Sequence, residues 1–192
     1  MADNVILIAG NICAGKTEFV KYVEEISTVF HRIIDPHEQV RVVKEFVDAA
    51  ALNLFYHNRE EHTWLFEESC LNGRIVRHLT SKHQPGIHFF DRGMIEGAET
   101  FARNSYEEGY LSWNNYQNYL NKLRQGLDAL GRTQQASWLE QLIVYFEVKD
   151  VTLLQDRKMQ RDTKGENIPT GYLQRINDLY SVMFDNITAV YS

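Results

Sequence analysis

The chain has 192 residues, with 20 Lys and Arg against 26 Asp and Glu and a formal net charge of −6. That length suits one domain, and a composition of 44% hydrophobic and 12% aromatic residues excludes a disordered chain. No apolar run reaches the roughly 20 residues that span a bilayer, no secretory leader pattern opens the sequence, and the acidic balance argues against broad binding to duplex nucleic acid. Cys13 and Cys70 do not make a disulfide framework, so a reducing cytoplasm is the expected location.

Val5 to Ala9 is a short continuous apolar run, the signature of a strand covered on both faces. Glycines follow, and Thr17 to Ile26 then carries Phe19, Val20, Val23 and Ile26 at helical spacing. Val29 to Ile34 reads as a second strand stopped by Asp35-Pro36, and Gln39 to Leu79 as one long helical stretch. Ile87 to Phe90 is a third strand ending at Asp91, and helices are expected over about Ile95 to Arg103 and Tyr110 to Leu130. Leu142 to Val148 is a fourth buried strand, Asp150 can cap the helix after it, and Tyr172 to Tyr191 is a final helix. Strands alternating with helices predict an α/β fold, a parallel sheet with helices on both faces. In such sheets ligands sit beyond the carboxyl ends of the strands. Here those ends carry Gly10 to Thr17, Asp35, and Asp91-Arg92.

Gly10-Asn11-Ile12-Cys13-Ala14-Gly15-Lys16-Thr17 satisfies G-x-x-x-x-G-K-[ST] directly after a strand and at the opening of a helix. Backbone N–H groups and the positive helix end of such a loop cradle phosphate oxygens. Lys16 is then placed to reach the terminal phosphates of ATP, and the Thr17 hydroxyl to ligate Mg²⁺. Motors, switches and kinases share this loop, so it gives a ligand and not yet a reaction.

The loop, written Gly10-Asn11-Ile12-x-Ala14-Gly15-Lys16-Thr17, resembles that of the deoxynucleoside kinase family. Asp35-Pro36 falls where that family has Glu-Pro after its second strand, and Tyr56 lies ten residues before Phe66-Glu67, similar to the family's tyrosine and Phe-Gln pair. Phe90-Asp91-Arg92-Gly93 resembles its Glu-Arg-Ser motif, with Phe101 and Asn104 at matching offsets. Arg161 through Glu166 to Ile168-Pro169-x-x-Tyr172-Leu173 resembles its lid, here about 161–169, and the helix behind it. The resemblance implies a single three-layer P-loop kinase domain over residues 1–192, with a sheet of four or five strands and a short lid. It makes Asp35 the base that takes the acceptor proton, with Glu38 as a fallback because Asp is one methylene shorter than Glu. Asp91 would assist Mg²⁺ and Arg92 would bind phosphate oxygens or the surroundings of the reactive hydroxyl. Arg157 and Arg161 would bind the donor phosphates, while Thr163 falls at a second lid arginine and Lys164 is its substitute. Phe66 and Phe101 would flank a base, and Tyr56 with Glu166 would hold a sugar 3′-hydroxyl.

Glu67 replaces the family's base-reading glutamine, and an ionised carboxylate only accepts hydrogen bonds. It suits the N1–H and 2-amino edge of guanine, and Arg74 could donate to guanine O6 and N7 or simply neutralise Glu67. Gly97 instead leaves room for a substituent at a pyrimidine C5, so the base stays open. The expected activity is transfer of the ATP γ-phosphoryl group to the 5′-hydroxyl of a deoxynucleoside. The alternative is a phage-type kinase acting on 5-hydroxymethyluracil within DNA, and a nucleotide-binding switch is a weaker third reading. The expected partners are a nucleoside-type small molecule and a second copy of the chain as a homodimer, with no membrane, and DNA only under the alternative.

Overall fold

The computed structural model describes residues 5–30, 39–45, 47–131, 142–161 and 168–191. In chain order these form β1 (Val5–Gly10), α1 (Lys16–Phe30), β2 (Val40–Val43), α2 (Ala49–His57), α3 (Arg59–Ser81) and β3 (Ile87–Asp91). A helical segment follows as α4 (Met94–Gly97), a π-helical turn (Ala98–Ala102) and α5 (Arg103–Glu107), and then α6 (Trp113–Ala129), β4 (Leu142–Phe146), α7 (Val151–Arg161) and α8 (Thr170–Tyr191). Among the described residues no helix is long and apolar enough to cross a membrane.

The four strands form one parallel sheet in the order β2-β3-β1-β4. Leu7, Ile8 and Ala9 are all buried, and because successive strand residues point to opposite faces, β1 is covered on both sides. One apolar cluster joins Ala9 to Val151 and Leu154 of α7 and to Leu173, Ile176, Tyr180 and Met183 of α8. A second gathers Leu71, Met94, Ile95, Ala98, Tyr119, Leu123 and Leu127 between α3, the α4 segment and α6. The helices start as their sequences direct. Asp48 accepts from Ala50 N–H at 2.8 Å to cap α2, and Asp150 accepts from Thr152 N–H at 2.9 Å ahead of α7, as expected.

The second strand is not where the β-branched run suggested. Val29 and Phe30 complete α1, and the strand is Val40–Val43, which lies within the stretch expected to be helical. Lys16–Phe30 is one continuous helix, and Val29, 56% exposed, lies on its outer face. The rest of that expected strand, with Asp35 and Glu38, lies outside the described residues. Helix α3 is real, but α2 precedes it and Asn58 separates the two.

All four strands are parallel, so β1, β2 and β3 end on one edge. There β1 enters the phosphate loop at Gly10, β3 ends at Asp91, and β2 delivers Glu45 two residues beyond Val43.

Candidate active site

The phosphate loop has the backbone its residues require. Gly10 has φ +148°, and a Cβ there would stand 3.0 Å from Cβ and O of Phe146, so only glycine lets β4 come so close. Cys13 holds φ +62° without being glycine. The loop is clamped from outside: Asn11 Nδ2 donates to Leu173 O at 2.8 Å and to Asn177 Oδ1 at 2.9 Å, both on α8. Arg157 on α7 donates to the carbonyls of Cys13 at 3.4 Å and Ala14 at 3.3 Å. Ile12 N–H donates to Asn11 Oδ1. Lys16 lies folded into the loop, donating from Nζ to Gly10 O at 2.7 Å and Asn11 O at 2.8 Å. Burial, followed by the nearby Arg92 charge, pushes its pKa down to about 7.

Facing the loop is a carboxylate that the sequence reading missed. Glu45 Oε2 lies 2.9 Å from Arg92 Nε, and its Oε1 accepts from Arg74 Nε at 3.1 Å and from Arg74 Nη2 at 2.5 Å. Burial works to raise its pKa, but Arg74 and Arg92, with Arg77 beyond them, together hold it below the ordinary carboxylate range. Glu45 is therefore ionised. Burial likewise disfavours charge on Arg74 and Arg92, yet each is held protonated above the ordinary arginine value, Arg74 by Glu45 and Arg92 by Tyr180, Glu45, Glu96 and Asp91.

Arg92 stands at φ +66°, reaches Gly10 O from Nη1 at 3.2 Å, and lays its guanidinium over Phe101 at 4.5 Å from the ring centroid. Asp91 Oδ1 is buried with no hydrogen-bond partner among the described residues, and Thr17 is exposed in the first turn of α1. A carboxylate oxygen with unused lone pairs and a hydroxyl at the phosphate loop suit Mg²⁺, which takes only one or two protein ligands beside phosphates and water. Among the described residues no cluster of three His, Cys, Asp or Glu offers a fuller metal site.

Around the acceptor side, Phe66 stacks on buried Phe55 at 4.6 Å, and Tyr56 meets Phe55 edge-on at 5.2 Å. Tyr56 and Phe101 border the same apolar cluster as Ile12 and Cys13 of the phosphate loop. Glu67 is 2% exposed and accepts from Ser105 Oγ at 3.0 Å; burial pushes its pKa up to about 7, against the hydrogen bond and the Arg74 and Arg59 charges. It is thus not the fully ionised acceptor the sequence reading assumed. The room at Gly97 is also corrected. A Cβ there would lie 1.9 Å from Arg74 Nη1 and 3.2 Å from the Tyr119 hydroxyl, so the space admits Arg74. Arg74 is spent on Glu45 and does not neutralise Glu67 as an ion pair.

Arg161 ends α7, exposed. Asp35, Glu38, Thr163, Lys164 and Glu166 lie outside the described residues. The signal that would have found Glu45 was the alternating Val40-Arg41-Val42-Val43 with an acidic residue just beyond it. Tyr180 and Glu96, both buried against Arg92, carried no motif at all.

A search of curated proteins finds no match. A family model described as deoxynucleoside kinase matches residues 6–191, nearly the whole chain, including all four strands apart from Val5. On that match, and with a parallel sheet and phosphate loop of the kind the resemblance implied, the chain belongs to the deoxynucleoside kinase family.

Proposed function

We propose that this chain transfers the γ-phosphoryl group of ATP to the 5′-hydroxyl of a free deoxynucleoside, with Glu45 as the carboxylate that receives the acceptor proton. Family membership gives the coarser class, a nucleotide-binding kinase acting on a nucleoside-type small molecule. The observation that carries the finer reading is Glu45 itself, an ionised carboxylate at a strand end, held between Arg74 and Arg92 and opposite the lysine of the phosphate loop.

The steps assigned to the chain follow from that arrangement. Lys16 leaves the carbonyls of Gly10 and Asn11 for the terminal phosphates, where its charge meets that of the transferring group. Glu45 accepts a hydrogen bond from the 5′-hydroxyl, whose oxygen attacks the γ-phosphorus as the bond to the β-phosphate oxygen breaks. The hydroxyl proton passes to Glu45. Because phosphoryl transfer runs through a loose transition state, orientation and charge matter more than a strong base, so a carboxylate of lowered pKa suffices. Arg92, on the phosphate-loop side of Glu45, faces the charge that develops on the transferring oxygens. Thr17 and Asp91 would hold Mg²⁺, which supplies neutralisation of phosphate charge when bound.

Under this reading Phe66 and Phe101 border the base, and Tyr56, with Glu166 of the lid, holds the 3′-hydroxyl. The DNA-directed alternative loses one support, since Arg74 stands in the space at Gly97 that was to admit a C5 substituent. Incubation with γ-labelled ATP and a panel of free nucleosides, mononucleotides and hydroxymethylated DNA tests the assignment. Label on free nucleosides is the expected result, and label on DNA alone overturns it.

A further inference from the structure

Behind the phosphate loop sits a buried carboxylate that the steps above do not use. Glu96, 1% exposed, accepts through Oε1 from Gly10 N–H at 3.3 Å, from Arg92 Nη1 at 3.4 Å and from the Tyr180 hydroxyl. Its Oε2 accepts from Gly93 N–H at 2.9 Å. Tyr180, fully buried on α8, accepts from Arg92 Nη1 at 2.9 Å and lies 2.9 Å from Gly10 O. Nη1 of Arg92 therefore has the Gly10 carbonyl, the Tyr180 hydroxyl and the Glu96 carboxylate around it, while Nε is turned to Glu45. The guanidinium is fixed at two corners of its plane, and a planar fork so fixed cannot rotate.

That restraint has something to oppose. Arg92 shares the left-handed backbone region with few non-glycine residues, a conformation that persists only where the surroundings over-determine it. It also faces Lys16, whose cation it repels, across the carbonyl of Gly10 that both side chains use. Glu96 offsets that repulsion and ties the first amide of the loop to the same carboxylate.

Resting on the kinase reading above, we infer that Glu96 and Tyr180 are positioning residues that fix the rotation of Arg92 between the phosphate loop and Glu45. They touch no substrate and act only through Arg92 and Gly10. A plain structural role is the competing account, because Glu96 also closes the first turn of α4 on Gly93 N–H.

The test uses Glu96→Gln and Tyr180→Phe in the full chain, with two readouts. The first is the ¹⁵N signal of the Arg92 Nε–H, identified by its loss in Arg92→Lys, and its exchange with water in the presence of a non-hydrolysable ATP analogue. Each variant should speed that exchange by about tenfold or more while the chain remains folded, since a buried pair that loses a partner loses its restraint. The second is kinetic. The kcat should fall about tenfold or more with the KM for ATP nearly unchanged, as misplacement of a transition-state group demands. Added to Arg92→Lys, Glu96→Gln should cost less than about twofold more, because both changes remove one interaction. Glu96→Asp, which keeps the charge, should recover part of kcat.

Unchanged Arg92 exchange, additive kinetic losses, or a lowered melting temperature with kcat intact would each overturn the inference. Should Glu96→Gln fail to fold, Tyr180→Phe, which keeps the ring, decides it. If the wild-type chain phosphorylates no nucleoside, the kinase reading fails, and the exchange readout still judges Glu96 and Tyr180 separately.

Discussion

A carboxylate between two guanidinium groups is sensitive to loss of its charge. Glu45→Gln keeps the shape of the side chain but leaves Arg74 and Arg92 without their counter-charge. Turnover should fall by about 10²-fold or more with ATP affinity retained, and the melting temperature should drop too, since breaking a buried ion pair costs about 3–5 kcal/mol. Steady-state kinetics and a thermal melt check both, and a turnover loss seen only in Asp35→Asn would return the role to Asp35. Glu67 works in the opposite sense. Its pKa rises from 4.5 unfolded to about 7 folded, so the folded state holds its proton through that window. Its favourable effect is complete below pH 4.5 and is lost as pH rises through about 7. Glu67→Gln should therefore flatten stability between pH 5 and pH 8 and raise it at pH 8, by on the order of 3 kcal/mol at most. Urea melts at the two pH values would show it, and an unchanged slope would place the titration elsewhere. The phosphate loop was legible residue by residue because its backbone geometry dictates glycines, lysine and threonine at fixed places. Glu45 was not, because a single glutamate without a following proline looks like any other charge near a helix. Glu96 and Tyr180 were invisible because their meaning comes from a contact 84 residues long in sequence.

Helices and strands were read from periodicity, and the misreadings are those periodicity permits. The run Val29 to Ile34 is rich in β-branched residues, but two of its members extend a helix already nucleated from Lys16. The true β2 is only four residues long, too short for its alternation to stand out beside the helical signal of α3. The π-helical turn Ala98–Ala102 had no sequence cue, and it leads from Gly97, beside Arg74, to Phe101, beneath Arg92. Where α3 crosses α6, a Cβ on Gly126 would lie 2.7 Å from Ile75 Cγ1 and 2.8 Å from Ile75 Cδ1. Gly126→Ala should thus destabilise the chain by about 1–3 kcal/mol through overpacking. Although Ile75 follows Arg74 in α3, α6 itself supplies none of the residues assigned to the reaction, so turnover per folded molecule should hold. A melt paired with an active-site titration separates the two, and lost turnover at unchanged stability would count against this account.

Across the whole molecule the alternation of strands and helices was enough to name the α/β class, because a parallel sheet needs crossovers and leaves a short menu of arrangements. The closing role of α8 was not apparent, since a helix with an apolar stripe says nothing of which loop it meets. Asn11 is bound to Leu173 O and Asn177 Oδ1, and the Tyr180 hydroxyl lies 2.9 Å from Gly10 O, so the loop and α8 move as one. ATP binding should slow amide hydrogen exchange along residues 173–180 as well as in the loop, and Asn11→Ala should uncouple the two. Protection confined to residues 10–17 would refute the link. The same clamp has a bearing on the order in which the protein is made. The loop is translated well before the groups that hold it, which come 162 and 166 residues later. On a ribosome adding about 5–20 residues each second, the nascent chain spends many seconds with its nucleotide loop written but unclamped. Phosphoryl donor binding therefore waits on the synthesis of α8.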